Sequence, residues 1–260
     1  MRIILLIYFF SINCISLAQK NTSLVLNSKT HYNDSLQIAK SYSNSNFYLI
    51  KNSIVKKTPE STYTYNNIDL GKLYKIDLFN PLQIKLFYKN QNSIVILDNK
   101  LSEIKKVNFN YSDPLINVVA FSSANENNIW VYDEISMRLK KYNYLKDSFD
   151  SIDIPIEGQV KSLKGNYNYC WLLTNNHLYK FNYIGSLIYK IQISEMEFFN
   201  FYKNNLIFVS NNNLFIFDES DSRLEKISHE KLFIKDFFVI NETLYIYDED
   251  YLQQFEIKIN

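Results

Sequence analysis

Asn213–Asp218 (NLFIFD) is followed, after four further residues, by Arg223–Ile227 (RLEKI). The first segment is an apolar and aromatic run, a composition that favours a β-strand. The second alternates polar and apolar side chains, which is typical of a strand with one face in water. Asp218 ends the first segment, and the carboxylate of such a residue accepts hydrogen bonds from the backbone of a following turn. The stretch therefore predicts a β-hairpin.

The same hairpin recurs along the chain. The apolar runs are Asn92–Asp98, Asn128–Asp133, His177–Asn182, Asn213–Asp218 and Thr243–Asp248. Their last residues are 35, 49, 36 and 30 positions apart, a mean of 37.5, which is near the length of one blade of a β-propeller. We expect each apolar run to be an inner strand of its blade and the segment after it to be an outer strand.

Further strand-like segments precede these hairpins and give three to four strands per unit. A weaker copy over residues 35–65 raises the number of units to six, of about 40 residues each. Thr22–Leu26 is predicted to complete the last unit and close the ring. The predicted fold class is all-β: a single β-propeller over residues 19–260, with six blades of three to four antiparallel strands. Five or seven blades, a β-sandwich or two smaller β-domains are the alternatives.

Composition agrees with an all-β fold. The 260 residues include 21 Tyr and 19 Phe, which suit strands better than helices. The hydrophobic content of 47% excludes wholesale disorder, and the balance of 28 basic against 27 acidic residues excludes a basic nucleic-acid-binding protein of the usual kind. Because there are only 4 glycines, we expect Asn and Asp to take the left-handed positions of turns.

Residues 1–18 have the three parts of a secretory signal peptide. Arg2 supplies the positive charge, Ile3–Phe10 is the apolar segment, and residues 16–18 form a small-x-small cleavage signal. We predict cleavage after Ala18 and a periplasmic or secreted mature protein, with an uncleaved N-terminal anchor as the alternative. No later stretch is apolar for long enough to span a membrane, so no transmembrane span is predicted after signal removal.

The chain has 2 cysteines. A lipid anchor at Cys14 is not favoured, because Asn13 stands where such an anchor expects a small residue. Removal of the signal peptide would leave Cys170 alone and allow no intramolecular disulfide. Cys170 lies in a strand-like run between Tyr169 and Trp171, so we expect it to be a small buried hydrophobe.

Two segments resemble known propellers. The residues from Trp171 through Leu178–Asn182 to Gly185 and Ile188 resemble a blade of the NHL-like or quinoprotein-like propellers. Residues 70–101 resemble exported propeller-like proteins of Bacteroidota, which mostly lack an assigned activity. The first resemblance concerns the fold over most of the mature chain, and the second covers about thirty residues. Neither implies a catalytic residue, and the tryptophan-docking pattern, Asp-box and Kelch double glycine are not found.

Chemical motifs are scarce. The 3 histidines, His31, His177 and His229, lie far apart and lack the spacing of a zinc site. No nucleotide-binding or hydrolase motif occurs, and we predict no catalytic residue, metal or cofactor. Residues 218–221 and 248–250 are acidic enough for calcium loops but lack the EF-hand spacing, so we interpret them as ordinary turns.

Aromatic residues are the candidate binding residues. Trp130 and Trp171 precede comparable turns, and packing between blades is the first interpretation, with stacking on a sugar or peptide as the second. Tyrosines at alternate positions are expected to be exposed and to line a partner-binding face. These are Tyr132, Tyr179, Tyr245 and Tyr247.

The predicted function is a non-catalytic protein-interaction scaffold of the bacterial cell envelope, whose partner is another envelope or secreted protein and not a nucleic acid. A role in assembly of the outer membrane or cell envelope is suggested by analogy with the functions of other propellers. A propeller hydrolase or lyase acting on glycans or lactones is one alternative, and it requires carboxylates to converge in the central channel. A sugar- or small-ligand-binding module is the other.

Overall fold

A computed structural model describes residues 22–31, 37–42, 45–152, 154–193, 195–202, 205–229, 232–240, 242–248 and 250–259. The predicted signal peptide over residues 1–18, including Cys14, lies outside the described residues. The described part of the chain forms six antiparallel sheets of four strands each. This arrangement confirms the predicted six-bladed β-propeller.

The strands follow the blades in chain order. Strand β1 (Thr22–His31) precedes blade 1, which consists of β2 (Gln37–Tyr42), β3 (Ser45–Ile50), β4 (Ser53–Lys57) and β5 (Thr62–Tyr65). Blade 2 consists of β6 (Lys75–Asp77), β7 (Ile84–Tyr88), β8 (Ser93–Leu97) and β9 (Glu103–Asn108). Blade 3 consists of β10 (Val118–Ser123), β11 (Asn128–Asp133), β12 (Arg138–Asn143) and β13 (Ser148–Ser151).

Blade 4 consists of β14 (Val160–Gly165), β15 (Tyr169–Thr174), β16 (His177–Asn182) and β17 (Leu187–Gln192). Blade 5 consists of β18 (Met196–Tyr202), β19 (Asn205–Ser210), β20 (Asn213–Asp218) and β21 (Arg223–Lys226). Blade 6 consists of β22 (Asp236–Ile240), β23 (Thr243–Tyr247) and β24 (Tyr251–Ile259), with β1 as its fourth strand. Two 3-10 turns follow β7 and β9, at Lys89–Gln91 and Phe109–Tyr111.

Strand β1 closes the ring. It pairs antiparallel with β24 from Thr22 opposite Ile259 to His31 opposite Tyr251. Blade 6 therefore joins an early strand of the chain to three late ones, as predicted for Thr22–Leu26. The backbone N–H of Ser228, which follows blade 5, also donates to the carbonyl of Thr22 at 3.3 Å.

The predicted turns at Asp and Asn residues are confirmed, but the apolar runs before them do not take the predicted innermost place in their blades. Side-chain oxygens at all five turn residues accept backbone N–H groups of the following turn. The apolar runs are second or third strands of their blades, and the innermost strands are β2, β6, β10, β14, β18 and β22. Asp133 and Asp248 follow second strands, whereas Asp98, Asn182 and Asp218 follow third strands, which explains the uneven spacing.

The core consists of apolar layers between neighbouring blades. One layer joins blades 3 and 4 through Trp130, Leu139, Leu172 and Phe181, all of them buried. Similar layers lie between blades 1 and 2, 2 and 3, 4 and 5, and 5 and 6. The aromatic and branched residues that favoured strands in the sequence are thus the ones that hold the blades together.

Consecutive strands run antiparallel, so the turns alternate between the two ends of the ring. We call face A the end with the turns at residues 78–83, 166–168 and 219–222, and face B the end with the turns at 89–92, 134–137 and 211–212. The prediction that Asn and Asp fill the left-handed turn positions is only partly correct. Among the described non-glycine residues with positive φ are Asn92, Asn211 and Asn212, but also Leu101 and Met137.

Within the part of the chain that the structure describes, none of the helices has the length and apolar character needed to cross a membrane.

Candidate functional site

The structure places Trp130 and Tyr132 in the layer between blades 3 and 4. Trp130 is 1% exposed and Tyr132 is 5% exposed. Both side chains lie on β11 and pack among apolar residues of blade 4. The interpretation of Trp130 as packing between blades agrees with this position, whereas the predicted exposure of Tyr132 is wrong. Alternation along β11 does not expose one side, because both sides of a blade face another blade.

Tyr179 is also buried, which contradicts its predicted exposure. Its side chain is 0% exposed, and its hydroxyl oxygen accepts the backbone N–H of Glu157 at 2.8 Å. Its ring is parallel to that of Phe181, with centroids 6.2 Å apart. Tyr179 therefore ties the loop before blade 4 to the middle of that blade. Cys170, predicted to be a buried hydrophobe, is 0% exposed, and burial raises the pKa of its thiol.

The two tyrosines of blade 6 lie far from those of blades 3 and 4 in the ring order. Tyr245 is half-buried and stacks on Phe238 with ring centroids 4.7 Å apart. Tyr247 is 8% exposed, so its predicted exposure is wrong. Trp130, Tyr132 and Tyr179 thus share the layer between blades 3 and 4, whereas Trp171 belongs to the layer between blades 4 and 5 and the other two lie on blade 6, so the structure does not bring the six residues together into one surface. Their role in binding stays a prediction.

Trp171, on β15 of blade 4, lines a large cavity. This interblade cleft lies between blades 4 and 5 at face A and has a volume of about 730 Å³. Its aromatic walls are Tyr169, Trp171 and Phe201, and the Trp171 and Phe201 rings are 4.1 Å apart. The rest of its lining is polar or charged: Asn166, Asn168, Lys180, Asn205, Asp218, Glu219 and Ser220.

Glu219 joins the two blades at the cleft. Its carboxylate accepts hydrogen bonds from Trp171 Nε1 at 3.2 Å and from the Tyr189 hydroxyl at 2.8 Å, and it forms an ion pair with Lys180. The Lys180 Nζ lies 4.2 Å from the centre of the Tyr169 ring and 5.1 Å from that of Trp171. Lys180, the only formal cation among the described residues of the cleft lining, is therefore already neutralised and covered by aromatic rings.

A second polar group lies in the central channel, on the innermost strands. Lys75 extends from β6 of blade 2, and its Nζ donates to the carbonyl oxygens of Phe121 at 2.7 Å and Leu163 at 2.8 Å. These carbonyls lie on the innermost strands of blades 3 and 4. One ammonium group thus links three blades across the channel edge. Burial lowers the pKa of Lys75, although the nearby Asp77 carboxylate opposes this change.

Asp77 extends the same network. Its carboxylate accepts the backbone N–H of Ser123 at 2.7 Å, the hydroxyl of Ser122 at 3.2 Å and the backbone N–H of Phe79 at 2.9 Å. Burial by itself raises the pKa of Asp77, but the Lys75 ammonium and these N–H groups outweigh it and hold the pKa below its ordinary value. Asp77 is therefore a carboxylate in the folded protein, and it joins blade 2 to blade 3.

Sequence reasoning missed this channel group. The innermost strands β6, β14 and β18 were not among the predicted strands: β6 has only three residues, β14 is rich in polar residues, and the seven residues of β18 are mostly aromatic without a clear polar alternation. Strands β14 and β18 also contain a register shift against their partners, which interrupts the two-residue alternation. A Lys-x-Asp pattern (Lys75-Ile76-Asp77) is the only signal that the sequence offers at β6, and it is not specific.

The acidic turns behave as turns. Asp218 Oδ1 accepts the backbone N–H and the hydroxyl of Ser220, and Asp248 Oδ1 accepts the N–H groups of Asp250 and Tyr251. Among the described residues, no group of three or more His, Cys, Asp or Glu side chains is arranged to hold a metal ion. His177 is one of the three histidines whose spacing predicts no zinc site. Its Nε2 lies 4.0 Å from a carboxylate oxygen of Glu157.

No protein-family model matches the sequence, and no curated protein matches it. Several solved structures are similar. Virginiamycin B lyase from Staphylococcus aureus has 14% identity over 85% of this chain and 79% of its own, with a TM-score of 0.60. The extracellular domain of a one-component system from B. thetaiotaomicron has 16% identity over 85% of this chain, which spans 33% of that chain, with a TM-score of 0.56. YCF48 bound to the D1 peptide has 12% identity over 68% of this chain and 62% of its own, with a TM-score of 0.50.

These similarities concern the fold alone, and they agree with the six closed sheets. The protein is a six-bladed β-propeller with an aromatic and amide-lined cleft at face A and a charged network in its channel.

Proposed function

We propose that this protein is exported and acts as a non-catalytic scaffold of the cell envelope that binds a segment of another protein at face A. The observation that carries this proposal is the composition of the interblade cleft. Its volume of about 730 Å³ lies within the ordinary range for ligand sites. It combines aromatic walls, a residue type enriched at protein interfaces, with amide side chains that can both donate and accept hydrogen bonds.

The chemistry of the cleft favours a peptide segment over an anionic ligand. Glu219 already pairs with Lys180, and the carboxylate of Asp218 also lines the cleft, so an anionic ligand would compete with an existing ion pair and meet a like charge. The amide groups of Asn168 and Asn205 line the cleft and match the donors and acceptors of a peptide backbone. Tyr169 is 36% exposed and offers its ring to an apolar side chain of the segment.

Exposed apolar side chains on the face A turns of blade 4 support the same proposal. Tyr167 is 53% exposed, Tyr183 is 52% exposed and Ile184 is 59% exposed. These side chains add exposed apolar area to the face on which the cleft opens, and exposed apolar area is a common feature of interaction surfaces. The similarity to YCF48, whose structure contains a bound peptide, is consistent with a peptide partner but shows only the fold.

Photo-crosslinking in cells tests this function. A photoreactive phenylalanine analogue replaces Tyr167 on face A or, as the matched control, Tyr111 on face B, which is 87% exposed. We expect a defined crosslinked product from position 167 only, and a lower yield when Tyr169→Ala is added, because that substitution removes a cleft wall. Identical products from both positions, or no product from position 167, would contradict the proposal.

Export is part of the proposal, and it rests on the signal-like residues 1–18. The resemblance to exported propeller-like proteins and the similarity to an extracellular domain support it. We expect the intact mass of the mature protein to correspond to a chain that begins at Gln19. Leu6→Arg places a charge in the apolar segment and should block this processing. An unprocessed protein that stays in the cytoplasm would contradict export.

A further inference from the structure

A smaller cavity lies at the end of the central channel nearer face A. It has a volume of about 260 Å³ and is lined by the C-terminal parts of innermost strands from several blades. Most of its lining is apolar: Ile76, Leu78, Phe79, Phe201, Phe238, Val239 and Ile240. Its polar lining is Lys75, Asp77, Ser122, Lys164 and Asn200. A ligand with an apolar body and a polar end matches this composition.

Lys164, on β14, is the unusual group in this cavity. Among the described residues, its Nζ has no hydrogen bond or ion pair, and its nearest described partner is the Phe199 ring, with the centroid at 5.4 Å. Burial and the like charge of Lys75 lower the pKa of Lys164 to about 8. Lys164 is therefore mostly charged at neutral pH in a place that lacks a counter-charge in contact with it.

Lys75 has donor capacity left for the same ligand. An ammonium group has three N–H donors, and the carbonyls of Phe121 and Leu163 use two of those on Lys75. The third N–H is available to an oxygen in the cavity that both lysines line.

The formal charges of the channel group do not balance. Among the described residues, three lysines, Lys75, Lys85 and Lys164, interact with two aspartates, Asp77 and Asp236, so this described group has a formal excess of one positive charge. Burial raises the pKa of Asp236, although the positive charge of Lys164 opposes this change. One monoanion restores neutrality.

We propose that the face A end of the central channel is a binding site for a small monocarboxylate with an apolar body, whose carboxylate is held by the ammonium groups of Lys75 and Lys164. The two lysines supply charge-assisted hydrogen bonds from different blades, and Asn200 adds an amide at the cavity wall. The apolar part lies against Phe201, Phe238 and Val239. Such a site lies on the same face as the interblade cleft, but it does not depend on a protein partner.

Benzoate is a suitable probe, with benzyl alcohol as its neutral counterpart of similar shape. Isothermal titration of the whole mature protein at pH 7 should show saturable binding of benzoate and at least tenfold weaker binding of benzyl alcohol. Lys164→Met removes the charge while keeping an unbranched side chain, and it should weaken benzoate binding about tenfold or more. Lys161→Met changes the other lysine of β14 and should alter the affinity less than about twofold, because Lys161 donates instead to the Met196 carbonyl.

The pH dependence gives a second readout that needs no variant. Among the described residues, the titratable groups that line the cavity are Lys75 and Asp77 on β6 and Lys164 on β14, and the charged groups that interact with them are Lys85 on β7 and Asp236 on β22. Since Lys164 has a pKa of about 8, benzoate affinity of the unmodified protein should fall between pH 7 and pH 9.5. The absence of saturable binding, equal affinity for benzyl alcohol, tighter binding of inorganic phosphate than of benzoate, or full affinity in Lys164→Met would each overturn the proposal.

Discussion

Replacing Asp77 by asparagine should destabilise the ring markedly, because this carboxylate joins two innermost strands. Asp77 accepts three hydrogen bonds and lies beside two lysines, Lys75 and Lys85. A hydrogen bond to a charged group contributes about 1.5–3 kcal/mol and a neutral one about 0.5–1.5 kcal/mol, so loss of the charge costs about 3 kcal/mol over three bonds. The side-chain NH2 group of the new asparagine would also face one backbone N–H, and two donors cannot form a hydrogen bond. This unsatisfied donor adds at least about 1 kcal/mol to the loss of stability.

The expected cost of Asp77→Asn is thus about 4 kcal/mol, which corresponds to a fall of about 8–16 °C in the midpoint of thermal unfolding for a domain of this size. Urea unfolding followed by tryptophan fluorescence and calorimetry measures both quantities. Asp69→Asn, the same substitution at an exposed position before β6, is the control and should change stability by less than about 0.5 kcal/mol. A loss below about 1 kcal/mol for Asp77→Asn would refute the reasoning that the network holds the blades together.

Low pH should reduce the difference in free energy of unfolding between the unmodified protein and Asp77→Asn. The folded-state pKa of Asp77 lies below its ordinary value, so its contribution is complete above the unfolded-state pKa of about 3.9 and is lost as the pH falls toward the folded-state pKa. The stability gap between the unmodified protein and Asp77→Asn should therefore be constant near neutral pH and shrink below about pH 4. A gap that widens in acid would show that Asp77 is not the stabilised carboxylate.

Three further predictions follow from the packing. Gly165→Ala should lower the free energy of unfolding in urea by about 2 kcal/mol, because the added Cβ would lie 2.5 Å from the Ser123 carbonyl oxygen. Gly71→Ala is the control and should lower it by less, because Gly71 has open space around it and only its φ of 69° is unfavourable for alanine. A larger loss for Gly71→Ala than for Gly165→Ala would contradict the close approach of Gly165 to Ser123. Deletion of residues 19–31 removes β1 and should lower the midpoint temperature of thermal unfolding. A synthetic peptide of residues 22–31 should pair with β24 and raise this midpoint again, up to a plateau at high peptide concentration. A peptide without effect would argue against closure of the ring by β1. Cys170 should resist a thiol reagent until the protein unfolds, since it is 0% exposed and its pKa is raised by burial; fast labelling of the native protein would contradict this burial.

The sequence predicted the turns and the closure of the ring, because these depend on local chemistry. Asp98 and Asn182 accept turn N–H groups in the structure as their positions at the ends of apolar runs indicated. The sequence did not assign the strands to their places within a blade. Turns after second and third strands have the same Asp or Asn chemistry, and only the strand order within each sheet distinguishes Asp133, which follows a second strand, from Asp218, which follows a third.

The predicted exposure of the tyrosines failed for a related reason. A strand in a two-layer protein has one wet side, and alternation then separates buried from exposed residues. A middle strand of a propeller has a neighbouring blade on both sides, so adjacent residues such as Val131 and Tyr132, which point to opposite sides of β11, are both buried. Alternation in the sequence therefore carries information on pairing in this fold but little on exposure.

What the sequence by itself determined is the repeated hairpin, the aromatic residues that fill the layers between blades, and the strand that joins both ends of the chain. Neighbouring residues and their spacing encode these features. The channel group and the cleft depended on the tertiary structure. Lys75, Asp77 and Lys164 lie on two blades, and Trp171 meets Glu219 across a blade boundary. These residues are far apart in the sequence, and they come close enough to interact only because the blades pack side by side in a closed ring.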